Sequence, residues 1–186
     1  MPQLRPPVDD PESVTESADD HPPPAAGAYP VAMIEVQRRV VIARPVDEVL
    51  EFVMDIERYQ QVDTKIKPVE QVTRTPTRTE FHFQPKLGGI RMPGPTTGSS
   101  MQLTPGARID VTLSHNPLRR LSGFHASFEI TAVDDGTEVL RTLVFTFRPP
   151  LSWIVEPILR RRLPAEVEDE LQQAKCYLEK RPPTSD

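Results

Sequence analysis

A single cysteine, Cys176, is all the thiol chemistry in this chain of 186 residues. It excludes an intramolecular disulfide and a multi-thiolate metal centre, fits a reducing compartment, and reads as a structural thiol near the end of the last helix. The four histidines, His21, His82, His115 and His125, lie on separate segments without metal-ligand spacing, so no metal is expected. No G-x-S-x-G, P-loop, dinucleotide fingerprint or H-E-x-x-H occurs, and no cofactor is expected. There is no basic excess either. The formal net charge of −5 argues against nucleic acid as the primary partner. No apolar run approaches the ~20 residues of a membrane helix, and no basic-then-apolar signal opens the chain. A cytoplasmic location without integral membrane association is the expectation.

What is present divides by composition. Residues 1–30 alternate Asp9, Asp10, Glu12, Glu16, Asp19 and Asp20 with prolines and end in Pro22-Pro23-Pro24. They hold almost nothing apolar to offset ordering entropy, so this segment is expected to be a disordered acidic tail, as is the short C-terminus 182–186. One folded domain is expected over 31–181.

Within that domain, Val36, Val40 and Ile42 share one strand face with Arg38 interposed. Pro45 suits the first helical position, and Val46, Val49, Leu50 and Val53 follow at helical spacing, with Asp47 and Glu48 in the first turn. Strands are then expected at Ile66–Thr73, Thr79–Gln84, around Ser99–Leu103, and at Arg108–Ser114, Leu121–Val133 and Thr137–Arg148. A loop is expected over Lys86–Gly98, and Asp134-Asp135-Gly136 is a hairpin turn. A terminal helix over about Leu151–Glu179 carries the stripe Ile154, Ile158, Leu163, Val167, Leu171, Ala174 and Leu178. Pro157 and Pro164 predict either a late start near Pro157 or a kink at Pro164. The class is α+β.

The pattern I-x-x-P-x-x-x-V at Ile42, Pro45 and Val49, followed by D-x-x-x-Y from Asp55 to Tyr59, resembles the opening of the START-like superfamily of polyketide cyclase/dehydrase and lipid-transport proteins. The resemblance runs roughly from Met33 to Lys180. Arg44, where the family has a small residue, and Val62, where it has an aromatic, depart from it. It implies a helix-grip fold: a curved antiparallel sheet wrapped around a long C-terminal helix, with two short helices after the first strand. It also implies an apolar cavity between sheet and helix that holds a hydrophobic small molecule.

The candidate ligand-binding residues are the polar and aromatic side chains in the inward rows. Arg38 and Arg141 share the parity of large apolar neighbours, so each either anchors an acidic head or pairs with a surface acid. Phe81, Phe83, Phe124, Phe128 and Phe145 either line a cavity or fill a core. Trp153, just before the terminal stripe, either closes one end of the cavity or caps the core. His125 has outward parity. Arg119-Arg120 and Arg160-Arg161-Arg162 form basic clusters suited either to transient membrane-surface contact or to a solvated face paired with Glu166, Glu168 and Asp169. Function is therefore expected to be that of a binding or carrier protein for a lipid, quinone or polyketide-like molecule. A cyclase/aromatase-type enzyme and a toxin-like interaction protein with a vestigial cavity are the alternatives.

Overall fold

The computed structural model describes residues 31–87, 90–91 and 96–180. The expected tails at 1–30 and 182–186 lie outside the described residues. Strand β1 (Ala32–Ile42) leads into helices α1 (Val46–Met54) and α2 (Ile56–Tyr59). Strands β2 (Val69–Arg74), β3 (Arg78–Phe83), β4 (Lys86–Leu87), β5 (Ile90–Arg91), β6 (Thr97–Thr104), β7 (Arg108–His115), β8 (Ser122–Val133) and β9 (Gly136–Phe147) precede the long helix α3 (Leu151–Glu179). Seven strands form one curved antiparallel sheet in the order β1-β9-β8-β7-β6-β3-β2, and β4 pairs with β5 apart from it. This is the helix-grip architecture.

Period-two alternation builds the sheet. In β1, Ile34, Val36, Val40 and Ile42 are buried while Glu35, Gln37 and Arg39 are exposed. Helix α1 follows because Pro45, extended at ψ 152°, is its N-cap and leaves no orphan amide there. Asp55 ends α1 and starts α2, its carboxylate accepting from the Arg58 amide at 3.1 Å. The buried face of α1 carries Phe52, stacked on Tyr177 with ring centroids 5.0 Å apart and tilted against Tyr59 at 5.5 Å.

The connection from β1 to α1 is fastened to the far end of α3. Arg44 Nε donates to the Leu178 carbonyl at 3.0 Å, adding a side-chain donor to a carbonyl in the last turn of the helix. The Ala43 amide donates to Glu179 Oε1 at 2.8 Å. The arginine that departs from the family pattern thus caps the C-terminus of α3.

Three sequence expectations are corrected here. Helix α3 runs unbroken from Leu151, with both prolines inside it, so there is no late start at Pro157. Its buried stripe in the first turns is Val155, Leu159 and Leu163, while Ile154 and Ile158 are 66 % and 38 % exposed. A five-residue step from Ile158 to Leu163 does not keep one face, since at 3.6 residues per turn it rotates ~140° off it, whereas four-residue steps stay on it. The segment Lys86–Gly98 is not wholly loop, because it contains β4, β5 and the start of β6.

The β8–β9 hairpin turns where expected. Gly136 has φ +133°, and a Cβ there would lie 2.2 Å from the Ile42 carbonyl oxygen. Gly106 also has positive φ, at +85°, but open space around its Cβ position. Gly136→Ala is therefore expected to lower unfolding free energy by more than the ~1–2 kcal/mol that a left-handed alanine costs at Gly106. Urea denaturation of the two variants side by side checks the difference.

Candidate functional site

The concave face of the sheet and the inner face of α3 enclose a cavity of about 260 Å³. Its walls are rings from three strands: Phe81 and Phe83 on β3, Phe124 and Phe128 on β8, Phe145 and Phe147 on β9. Because β8 and β9 pair with Phe124 opposite Phe145, these two rings meet at 4.9 Å, and Phe147 lies nearly parallel to Phe145 at 6.0 Å. Val155 and Leu163 of α3 cover the rings. At the rim, Pro117 and Leu118 of the β7–β8 connection are exposed and Leu151 of α3 is half-buried.

The other end of the cavity is polar, and of its residues only Arg141 is legible in the inward rows of the sequence. Tyr59 comes from α2, Asp63 and Lys65 from the turn after it, Arg141 from β9 and Glu170 from α3. Tyr59 sits over the cavity because α2 is a single capped turn that continues through Val62 and Asp63 amides bonded to the Tyr59 carbonyl, each at 3.0 Å. Asp63 Oδ1 then accepts from the Lys65 amide at 3.0 Å, a local turn that sends Lys65 inward. Lys65 Nζ lies 2.7 Å from Glu170 Oε2 and 2.9 Å from Asp63 Oδ1. The Tyr59 hydroxyl donates to Glu170 Oε1.

Arg141, with its side chain 6 % exposed, completes the cluster. Its guanidinium carbon stands 3.8 Å from the centroid of the Phe128 ring, its partner in the β8–β9 register. Tyr59 meets the same ring edge-on at 5.6 Å. Arg141 Nε is 3.6 Å from Glu170 Oε1, an ion pair too long for a hydrogen bond, and neither Nε nor Nη1 has a hydrogen-bond partner. A buried guanidinium on the cavity wall is thus neutralised but not saturated with acceptors.

Burial alone would raise the pKa of Glu170, but the charges of Lys65 and Arg141 outweigh it and hold the carboxyl below its ordinary value. Asp63 is raised, by burial first and then by the neighbouring Glu170 charge. Burial opposes the charge of Lys65, yet Asp63 and Glu170 together raise its pKa. Burial and the Glu170 carboxylate keep Tyr59 a neutral phenol well above its ordinary 10.0. Tyr59 therefore holds its proton beside Lys65, Arg141 and the Glu170 carboxylate, while Asp63 binds a proton more readily than an exposed carboxyl does.

Other candidates fall elsewhere. Arg38 has the inward parity of Arg141 and is its direct partner in the β1–β9 register. It pairs with Glu168 of α3 at 3.4 Å and does not line the cavity. Residues 168 and 170 project ~200° apart on a helix, so the two arginines are drawn to opposite sides of α3. Trp153 does not close the cavity either. It is 71 % exposed on the outer face of α3. Cys176 is exposed rather than part of the buried face. His125 lies outside the cavity, 3.7 Å from Asp110. Of the missed residues, Glu170 left a signal: a carboxylate three residues after Val167 and four before Ala174, on the apolar stripe itself.

Removing the carboxylate while keeping its shape, as in Glu170→Gln, leaves Arg141 without its anion and Lys65 with Asp63 alone, and is expected to cost ~3–5 kcal/mol. The lowered pKa of Glu170 makes its contribution complete above its ordinary pH 4.5 and lost as pH falls through the lower folded value. Asp63 acts in the opposite sense, gaining stability on acidification from its raised folded pKa down to its ordinary 3.8. Denaturation of wild type and Glu170→Gln across acid to neutral pH should show the Glu170 difference shrink below pH 4.5; a difference independent of pH contradicts the assignment.

The profile of the family described as polyketide cyclase/dehydrase and lipid transport matches residues 33–179. No curated protein matches the sequence. Solved structures share the fold at low identity. A Thermus thermophilus protein aligns with TM-score 0.60 and 16 % identity over 76 % of this chain and 94 % of that one. The Zhui aromatase/cyclase of a Streptomyces species aligns at 0.59 and 18 % over 79 % and 96 %. Norcoclaurine synthase from Thalictrum flavum, in complex with dopamine and hydroxybenzaldehyde, aligns at 0.55 and 11 % over 82 % and 91 %.

Proposed function

The chain belongs to the polyketide cyclase/dehydrase and lipid transport family, and from that premise we propose that it binds a small hydrophobic molecule with a flat body and an oxygen-bearing head. The body lies among Phe81, Phe83, Phe124, Phe128 and Phe145, and the head accepts hydrogen bonds from Arg141. The observation that carries this reading is that Arg141, at the polar end of a cavity walled elsewhere by aromatic rings, has two buried donors, Nε and Nη1, without hydrogen-bond partners. An unsatisfied buried donor costs ~1–3 kcal/mol, and a carbonyl or carboxylate placed there recovers it.

Volume limits the ligand. A cavity of about 260 Å³ is at the low end of ligand pockets. One ring or two fused rings fit; a longer chain would have to pass out at the rim beside Leu118 and Leu151. A carrier accounts for the polar cluster better than a catalyst does. Both oxygens of Glu170 are taken by Tyr59 and Lys65, and Lys65 is shared with Asp63. These groups are occupied with one another. The enzyme reading, a cyclase or dehydratase, draws its support from Asp63, a carboxyl of raised proton affinity that lines the same cavity.

Calorimetry with naphthoate and with naphthalene as its neutral analogue tests the head-group assignment. Arg141→Met is expected to weaken naphthoate by roughly 1.5–3 kcal/mol and to leave naphthalene unchanged. Equal affinity of both proteins for both probes overturns it. Ring truncation separates cavity from core: Phe52→Ala is expected to cost ~3–5 kcal/mol, whereas Phe145→Ala, half-buried against the cavity, is expected to cost clearly less and to change the binding of an apolar dye.

A further inference from the structure

Large apolar side chains left in water are unevenly distributed over this molecule. Val31, Met33, Leu118, Trp153, Ile154 and Ile158 are six of its eight exposed large hydrophobics among the described residues. All six belong to one end. There β1 begins with Ala32 paired to Phe147, Phe147 pairs with Ser122 at the start of β8, and α3 departs at Leu151. Arg160 Nη2 reaches the Met33 carbonyl at 3.2 Å and joins α3 to the start of β1. Leu118, exposed in this group, also lines the cavity. Trp153, Ile154, Pro157 and Ile158 are exposed at i, i+1, i+4 and i+5, an outward ridge along the first two turns of α3.

Charge at this end is opposite in sign to that of the whole chain. Segments 31–35, 116–122 and 147–163 hold six arginines, at 119, 120, 148, 160, 161 and 162, against Glu35 and Glu156. That is an excess of four positive charges in a chain whose formal net charge is −5. Glu156 is already paired with Arg160 at 2.8 Å.

We propose that this end, ridge and cavity rim together, docks on the surface of an anionic phospholipid bilayer. Exposed tryptophan and isoleucine beside arginine is the composition of an interfacial helix face, in which the rings and branched chains enter the headgroup boundary and the guanidiniums meet lipid phosphate. A second copy of the chain fits less well, because a symmetric contact would bring two arginine-rich faces together. A peptide fits less well because peptides are received in grooves or at sheet edges, and this surface is a convex ridge. Among the described residues no helix is long and apolar enough to cross a membrane, so the contact is peripheral. Docking here sets the rim at Leu118 against the bilayer, where an apolar ligand passes between lipid and cavity without crossing water.

Trp153 is the only tryptophan and reports the contact directly. With vesicles of phosphatidylcholine mixed with phosphatidylglycerol, its emission is expected to shift to the blue and to be quenched by brominated acyl chains, and the protein is expected to float with the vesicles. With phosphatidylcholine alone, or at high salt, these changes are expected to be small. Arg119→Glu with Arg120→Glu is expected to weaken anionic-vesicle binding at least about tenfold, and Ile154→Asp to abolish the emission shift, both leaving naphthoate affinity intact. Emission and flotation indifferent to anionic vesicles overturn the proposal, as does a blue shift that follows protein concentration without lipid, which assigns the surface to a second copy. Vesicle binding with no naphthoate binding supports docking while removing the cavity assignment, so the two claims fail separately.

Discussion

A carboxylate sealed in an apolar interior is tolerated only where other groups neutralise and hydrogen-bond it, and Glu170 meets this condition through three other parts of the chain. Tyr59 brings α2, Lys65 brings the turn after it, and Arg141 brings β9. These contacts tie the long helix to the sheet at one rotational setting. The same setting separates the two arginines that face each other across β1 and β9, since Glu168 draws Arg38 toward the open edge while Glu170 holds Arg141 against Phe128. Turning α3 by one residue would take Glu170 off its partners and leave a guanidinium uncompensated.

The cavity inherits its polarity from this arrangement. Its rings come from alternate positions of β3, β8 and β9, where period two sends each Phe to the concave face; its polar end comes from segments around Glu170. One end therefore favours flat apolar surface and the other an acceptor, which orients any occupant with its head inward. The arginines and exposed apolar ridge stand beyond the opposite end, at the rim. A ligand that enters head first passes the only part of the described molecule where tryptophan, isoleucine and arginine face outward together.

Strand-borne features were legible in the sequence because a two-residue period leaves little room for phase error: the rows of Phe81, Phe124 and Arg141 follow from counting. The helix was less legible. Its period of 3.6 allows a five-residue step to pass for a four-residue one, and that error put Ile154 and Ile158 inside when they form the exposed ridge. Arg38 shows the limit of parity even in a strand, since facing inward at a sheet edge is compatible with an ion pair beside the helix. Asp63 and Lys65 carried no signal at all, because an irregular turn has no period and only the folded chain brings them to Glu170. Tyr59 was visible in the opening motif, but as a marker of fold rather than as the donor to a buried carboxylate.

On the proposed function, Arg141, neutralised by Glu170, keeps donors in reserve for a ligand head. Heteronuclear NMR of the arginine side chains during naphthoate titration observes those donors directly. The Arg141 Nε–H resonance is expected to move and saturate with binding while that of Arg38 stays in place. Saturable binding that leaves the Arg141 resonance unmoved would contradict it.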